Sequence, residues 1–303
     1  LSSWNFNFSE KTQFVSEWVG FRTGPFLYKT TDGGRNFTGI FEILYSPNPP
    51  AFFALDEQHL WLTSTRVDEL NKTSQGLVYR SKDGGDTWEV YERKNTFFRK
   101  ISFVSTIRGF AYAIEYTDGL NDRFQLFQAE DGGANWSLTD VNMSQVNLHQ
   151  FLWKTQDLGF IVGLDGAHYR TLDGGKAWTP FRSNPSGNES FFYPVDADRY
   201  YEMRLTETIQ GNWANQTETR LEQPIYILSQ IGQEVIGFLL EKGCLPYTPC
   251  KNWLMSSKDG GLTWEKHRGI PFEVLFHREQ EISPGLVKIS NRSSANMIQI
   301  QKK

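Results

Sequence analysis

The 303-residue sequence has two cysteines, five histidines and no long apolar run. Cys244 and Cys250 have no paired histidines beside them, which makes a poor zinc set, so no metal is expected. The five residues between them, LPYTP, leave two readings: a disulfide closing a small surface loop, which an oxidising compartment permits, or two free thiols. No segment approaches the roughly 18 apolar residues needed to cross a bilayer, and no membrane span is expected. Positive charge is not in excess either, with 31 Lys and Arg against 35 Asp and Glu and a formal net charge of −4. Nucleic acid and anionic membranes therefore have no electrostatic reason to be partners. There is no G-x-S-x-G elbow, no H-E-x-x-H and no phosphate loop, so the common hydrolase and nucleotide signatures are missing and no cofactor is expected.

What is present is an ordinary globular composition, 39% hydrophobic and 22% charged, with ample material for a core. One stretch is written five times: TTDGGRNF from Thr30, SKDGGDTW from Ser81, AEDGGANW from Ala129, TLDGGKAW from Thr171 and SKDGGLTW from Ser257. We call this eight-residue frame the box. Its two glycines can take positive φ, and its Asp can accept from nearby turn amides, which is the grammar of a tight hairpin. The aromatic five residues after the Asp, on the outgoing strand, can pack over the turn and against a neighbouring sheet. These aromatics are Phe37, Trp88, Trp136, Trp178 and Trp264.

The box aspartates, Asp32, Asp83, Asp131, Asp173 and Asp259, are separated by 51, 48, 42 and 86 residues, so one unit has lost its box. That period fits a four-stranded propeller blade. The expectation is an all-β chain, a single β-propeller domain over residues 1–303, with seven blades favoured and six possible. The missing box falls between Gly211 and Thr219, in a unit that keeps FFYPV and YYEMRL.

The pattern S/T-x-D-G-G-x-x-W resembles the Asp-box, or BNR, repeat of sialidases, sortilin-type receptors and photosystem II assembly-factor propellers. The compact fourth unit, HQFLW, GFIVG, HYRTLDGG and WTPFR, is most similar to the assembly-factor subgroup. Two boxes depart from the pattern, the first ending in Phe37 and the third beginning with Ala129. Repeats of this kind establish a fold better than an activity.

Eight of the 17 asparagines open N-x-S/T sequons: Asn7, Asn36, Asn71, Asn135, Asn142, Asn188, Asn215 and Asn291. Chance would supply about two or three, so either the chain is exported and glycosylated or hydrophilic turns and boxes make the pattern themselves. The chain begins at Leu1 without Met or signal peptide, as expected if an export segment has been removed or the chain trimmed. Together these point to an extracytoplasmic protein, secreted, periplasmic or lumenal.

Unequal spacing carries the functional hint. In a propeller the connections from second to third strand, and from one blade to the next, emerge opposite the box turns, and loops there carry recognition. The candidate binding residues are Arg66, Asp68, Glu69, Asp118, Asp122, Arg123, His168, Glu241 and Tyr247, with the segments 93–100 and 267–272. On the third strands, Lys29, Arg80 and Arg170 recur in equivalent places and form either a basic patch or local pairs. A sialidase needs three arginines, a Tyr–Glu pair and an Asp acid/base, and no spacing selects them. With no catalytic set selected, the expected function is non-catalytic binding of another protein; the resemblance implies a client during complex assembly, and an inhibitor or recognition role is equally compatible. A sialidase-like glycosidase or a glycan-binding lectin is the alternative.

Overall fold

A computed structural model describes residues 12–43, 50–68, 73–116, 123–141, 148–163, 167–183, 191–204, 207–221, 224–231, 233–239, 251–267, 272–273, 279–283, 286–290 and 295–299. The chain divides into two compact units, Leu1–Gln156 and Asp157–Lys303. Among the described residues every regular element is a strand, and no helix is long and apolar enough to cross a membrane.

In the first unit, sheet one runs β1 (Thr12–Phe14), β2 (Gly20–Thr23), β3 (Phe26–Thr30) and β4 (Thr38–Glu42). Sheet two runs β5 (Phe52–Ala54), β6 (Leu60–Asp68), β7 (Thr73–Ser81) and β8 (Glu89–Lys94). Sheet three runs β9 (Thr96–Phe103), β10 (Gly109–Glu115), β11 (Arg123–Ala129) and β12 (Ser137–Leu138). Sheet four is β13 (Leu148–Trp153), β14 (Gly159–Gly163), β15 (Ala167–Thr171) and β16 (Thr179–Ser183), with the unit boundary after β13. The second unit continues with sheet five, β17 (Phe191–Pro194), β18 (Arg199–Met203), β19 (Thr208–Asn212) and β20 (Thr217–Leu221). Sheet six is β21 (Ile225–Ile231), β22 (Glu234–Leu239), β23 (Lys251–Ser257) and β24 (Glu265–Lys266), and β25 (Phe272–Glu273) also pairs with β23. Sheet seven has three strands, β26 (Glu279–Ser283), β27 (Leu286–Ser290) and β28 (Ala295–Gln299). Each is an antiparallel meander in chain order, so connections one-to-two and three-to-four share one end and connection two-to-three lies at the other.

All five boxes join third strand to fourth, and their geometry is nearly identical. Both glycines have positive φ, as at Gly84 (74°) and Gly85 (99°). A Cβ on Gly85 would also stand 2.5 Å from Ile40 of sheet one, so the position needs glycine twice over. The first hydroxyl of the box does two jobs: Ser81 Oγ donates to Asp83 Oδ1 at 2.7 Å and accepts from the Gly85 amide at 2.8 Å. The carboxylate then accepts from the Thr87 amide (2.9 Å) and hydroxyl (2.5 Å). Boxes at Asp32 and Asp259 repeat this with a further amide donor each.

The first glycine ties this corner to the rest of the sheet. Its amide donates to the first turn of its own sheet: Gly33 to Trp18 (2.9 Å), Gly84 to Gln58 (2.9 Å), Gly132 to Ile107 (2.7 Å), Gly174 to Asp157 (2.9 Å) and Gly260 to Gln233 (2.8 Å). Its carbonyl is seized by the preceding sheet, from Lys29 Nζ to Gly84 (3.1 Å), Trp61 Nε1 to Gly132 (2.9 Å) and the Tyr201 hydroxyl to Gly260 (2.7 Å). Through the two peptide groups that flank it, this one glycine thus connects two turns and two sheets.

The unit without a box keeps this wiring. Its turn is Trp213–Gln216, Gln216 takes a positive φ of 55°, and the Trp213 amide donates to Asp198 of the first turn at 2.8 Å. Trp213 stacks on Tyr200 with centroids 4.4 Å apart and lies 5.7 Å from Phe160 of sheet four. The first turns have a cap of their own: Ser16, Asp56, Ser105 and Asp196 accept from the amide three residues on, at 2.7–3.0 Å.

The core lies between sheets. Trp61 stacks on Phe103 at 3.5 Å, Trp136 meets Phe103 edge-on, and Trp88 packs 4.8 Å from Phe41 of sheet one. Between sheets two and three the chain crosses through a single residue, Asn95, at φ 50°, whose amide donates to Ser74 (2.8 Å) and whose carbonyl accepts from Tyr116 (2.7 Å). Gly76 lies beneath that crossing, where a Cβ would stand 2.3 Å from the Thr96 carbonyl oxygen.

Ala129 leaves the third box without the hydroxyl that the other four have. Ala129→Ser is expected to stabilise the fold by about 1 kcal/mol, seen as a higher urea midpoint at unchanged slope. The Thr87 hydroxyl and amide and the Ser81 hydroxyl hold the Asp83 carboxyl down at about 2. Because the folded value lies below the unfolded one, about 3.9, this stability is complete above that value and is lost as pH falls toward 2. Asp83→Asn should therefore flatten the pH dependence of unfolding free energy in that acid window and leave the neutral slope alone.

Candidate functional site

The ends opposite the boxes carry the loops expected to bind. In the first unit β6 and β7 run nine residues each, in register from Leu60↔Ser81 to Asp68↔Thr73, so this hairpin extends well past the three-residue β5. Arg66, exposed near its tip, pairs with Glu92 on β8 at 3.4 Å and with Gln75. Arg123, also exposed, opens β11 directly across from Glu115. Glu115 in turn holds Arg93 at 3.1 Å, and the Arg93 guanidinium lies over the Phe127 ring at 4.9 Å. Asp68 ends β6. Glu69, Asp118, Asp122, Glu241, Tyr247 and both cysteines lie outside the described residues, as does the proposed disulfide.

His168 sits differently from what a binding residue at the surface requires. It is 2% exposed and meets the Phe192 ring edge-on at 5.7 Å, because β15 is covered there by sheet five.

The segment 93–100 contributes two adjacent cations, Arg99 and Lys100. On β9, Tyr112 pairs with Lys100 and Ala113 with Phe98, so Arg99 is the extra residue of a β-bulge, a device that re-aims side chains. Arg99 and Lys100 are both exposed, and neither has an ion pair among the described residues. Although the Lys100 residue has exposed surface, protein packed around its ammonium desolvates it, and this, with the neighbouring Arg99 charge second, lowers its pKa from the ordinary value. The first strands β1, β5, β9 and β13 neighbour one another, and Gln13 fastens β1 to β5 with bonds of 2.7 and 3.0 Å to Ala54.

The three recurring third-strand cations serve as links between sheets. Lys29 reaches Gly84, Arg80 binds Glu89 (2.6 Å) and the Asp131 carbonyl (2.9 Å), and Arg170 binds Ala197 and Asp198 of sheet five. Their charge is spent on the next turn along, which answers the choice between patch and local pair.

The second unit holds a charge network that the sequence reading passed over. Glu202, fully buried, accepts from Arg204 Nε at 2.9 Å; Arg204 Nη1 lies 3.0 Å from Glu207, and Glu207 also pairs with Arg220 at 3.2 Å. Two-residue spacing on a strand puts Glu202 and Arg204 on one face, so the signal E-x-R was there to be found. The Asp196 and Asp198 pair is structural: Asp196 accepts from the Arg199 amide and guanidinium, and Asp198 pairs with Arg170.

Two sequons have a local explanation. Asn36 Nδ2 donates to Asp32 at 2.7 Å and Asn135 Nδ2 to Asp131 at 2.8 Å, the same box position that Thr87 and Thr263 fill by hydroxyl. Asn215 is exposed on the boxless turn, and the other five lie outside the described residues.

No protein-family model matches the chain, and no curated protein matches it. Among solved structures, it is similar to YCF48 bound to D1 peptide, with 15% identity, 97% of this chain and 92% of that one covered, and a TM-score of 0.66. YCF48 from Cyanidioschyzon merolae follows at 12% identity, coverage of 94% and 93%, and a TM-score of 0.57. The GH74 enzyme of Niastella koreensis gives 13% identity, 91% of this chain and 50% of that one, and a TM-score of 0.54. The fold is a β-propeller. At these identities the likeness reaches no further than that.

Removing one partner of the buried pair tests the network. Arg204→Ala removes the guanidinium from which the buried Glu202 carboxylate accepts and should cost about 3 kcal/mol, while Glu202→Gln combined with Arg204→Ala should recover much of it in urea unfolding.

Proposed function

We propose that the chain is a non-catalytic, extracytoplasmic propeller that binds another protein through the sheet ends opposite its boxes. The observation that carries this reading is the division of charge within the first unit. At the box ends the aspartates accept from their own turns and the third-strand cations are bonded to the next turn. At the opposite ends Arg66, Glu92 and Arg123 stand exposed on extended hairpins, and Arg99 and Lys100 stand unneutralised on the inner strand. Exposed charge on rigid hairpins suits steering and register in protein recognition. Unpaired cations favour an acidic segment in the partner.

Two further considerations support it. The box sequences resemble those of assembly-factor propellers, and one of the similar structures is a propeller solved with a peptide bound. An assembly, inhibitor or recognition role fits equally. The sequons and an oxidising setting for Cys244 and Cys250 support an extracytoplasmic site of action.

A glycosidase or lectin is the second reading, favoured by the likeness to a GH74 enzyme. Against it, a glycosidase needs two accessible carboxylates, one of them free to donate a proton. Glu202, the one fully buried carboxylate among the described residues, is bonded to Arg204, and Glu207 is shared by two arginines, so this network does not supply such a pair.

Partner capture and glycoside turnover separate the two. Arg66→Ala with Arg123→Ala, or Arg99→Ala with Lys100→Ala, should weaken a purified partner complex at least tenfold, with steep salt dependence. Leu262→Ser at the box end should leave it unchanged. Turnover of a sialoside or glucan panel, or undiminished affinity in both double variants, would defeat the assignment.

A further inference from the structure

We propose that the boxes are also sites of chemical ageing, and that among the five boxes aspartyl isomerisation in the folded protein begins at Asp131 and Asp173, the Asp118–Gly119 and Asp165–Gly166 bonds lying outside the described residues. Every box contains an Asp-Gly bond, the dipeptide in which a backbone amide reaches the preceding side chain with least hindrance, since glycine has no Cβ. In this reaction the glycine nitrogen gives up its proton and attacks the Asp carboxyl carbon. A C–N bond forms, a C–O bond breaks and water leaves, closing a five-membered imide. Water then opens the imide at either carbonyl, restoring Asp or giving isoaspartate, in which the main chain runs through the side-chain carbon. No oxidant or reductant is involved and the mass is unchanged.

The box geometry opposes both halves of this step. Each attacking amide is tied to a first-turn carbonyl at 2.7–2.9 Å, so its proton and lone pair are committed. Each carboxyl is held as an ion by its donors, which makes its oxygen a poor leaving group. The reaction therefore waits for a box to open, and the boxes differ in what holds them shut.

Asp32 has four donors: the Thr30 hydroxyl, the Arg35 and Asn36 amides and Asn36 Nδ2. Asp259 has four, the Ser257 and Thr263 hydroxyls and two amides, and Asp83 has three. Asp131 has two, both from Asn135, because Ala129 supplies no hydroxyl. Asp173 also has two, the Thr171 hydroxyl and the Ala177 amide, because Ala177 has no side-chain donor. An isoaspartate inserts an extra carbon into the turn, so the carboxylate can no longer meet its amides and the box stays open. Ageing at these two positions would unfasten one corner in each unit.

The test compares the folded chain with the same chain in urea. Both are held in warm neutral buffer, and isoaspartate at each box peptide is measured by methyltransferase labelling and mass spectrometry. Dividing each native rate by its urea rate removes the intrinsic sequence effect. Asp131 and Asp173 should exceed Asp32, Asp83 and Asp259 by about fivefold in that ratio, the effect of roughly one hydrogen bond. Ala129→Ser should bring Asp131 down to the level of Asp83 and leave Asp173 unchanged, with the thermal midpoint confirming that the variant folds. Equal ratios at all five sites, a lead by Asp32, Asp83 or Asp259, no isoaspartate at Asp131 and Asp173, or an unmoved Asp131 in Ala129→Ser would overturn the proposal.

Discussion

The backbone of the first box glycine, its amide and its carbonyl, is the constraint on which the sheets depend. Its amide fixes the first turn of its own sheet, and in three boxes its carbonyl is taken by the sheet before, from Lys29, Trp61 or Tyr201. Positive φ at two consecutive residues makes both directions reachable at once, and only glycine adopts that without strain. The carboxylate beside it does not reach across to another sheet. It holds the corner in the shape that lets the glycine do so.

This arrangement divides labour along each sheet. At the box ends the recurring aspartates accept from their own turns and Lys29, Arg80 and Arg170 are bonded to the next turn, while Arg35, Lys82 and Asp86 are exposed there. The other ends are free of that duty, and there the hairpins lengthen, as β6 and β7 do, and charge stands exposed at Arg66 and Arg123. In the second unit, among the described residues, Glu202, Arg204, Glu207 and Arg220 form a chain that runs from a fully buried carboxylate to an exposed guanidinium. A buried ion chain is weak evidence for stability and better evidence for a fixed strand arrangement, since each member is costly to strand alone.

Much of this was legible in the sequence, and the reasons are physical. The box turn, its aromatic and the all-β meander follow from residue types whose conformational preferences are strong, and they appear where the spacing put them. The boxless turn at Trp213–Gln216 also fell inside its expected window, because YYEMRL and FFYPV kept strand character on either side. The first-turn cap was equally readable, in Ser16, Asp56, Ser105 and Asp196, but a single Ser or Asp before a turn is too common to notice without the box to align it. The burial of His168 and the capture of Arg80 and Arg170 by neighbouring turns could not be read, since each depends on which sheet lies alongside. The bulge that bares Arg99 and Lys100 is a register event between β9 and β10, invisible to alternation alone.

Amide hydrogen exchange at Gly33, Gly84, Gly132, Gly174 and Gly260 tests the central role of the first glycine most directly. If that glycine backbone fastens turns and sheets together, these amides exchange as slowly as the strands they join, and the Trp213 amide, which takes the same place in the boxless sheet, exchanges with them. Exchange at the rate of an open loop, while the neighbouring strand amides stay protected, would show that the corners are ornaments on sheets held together by other means.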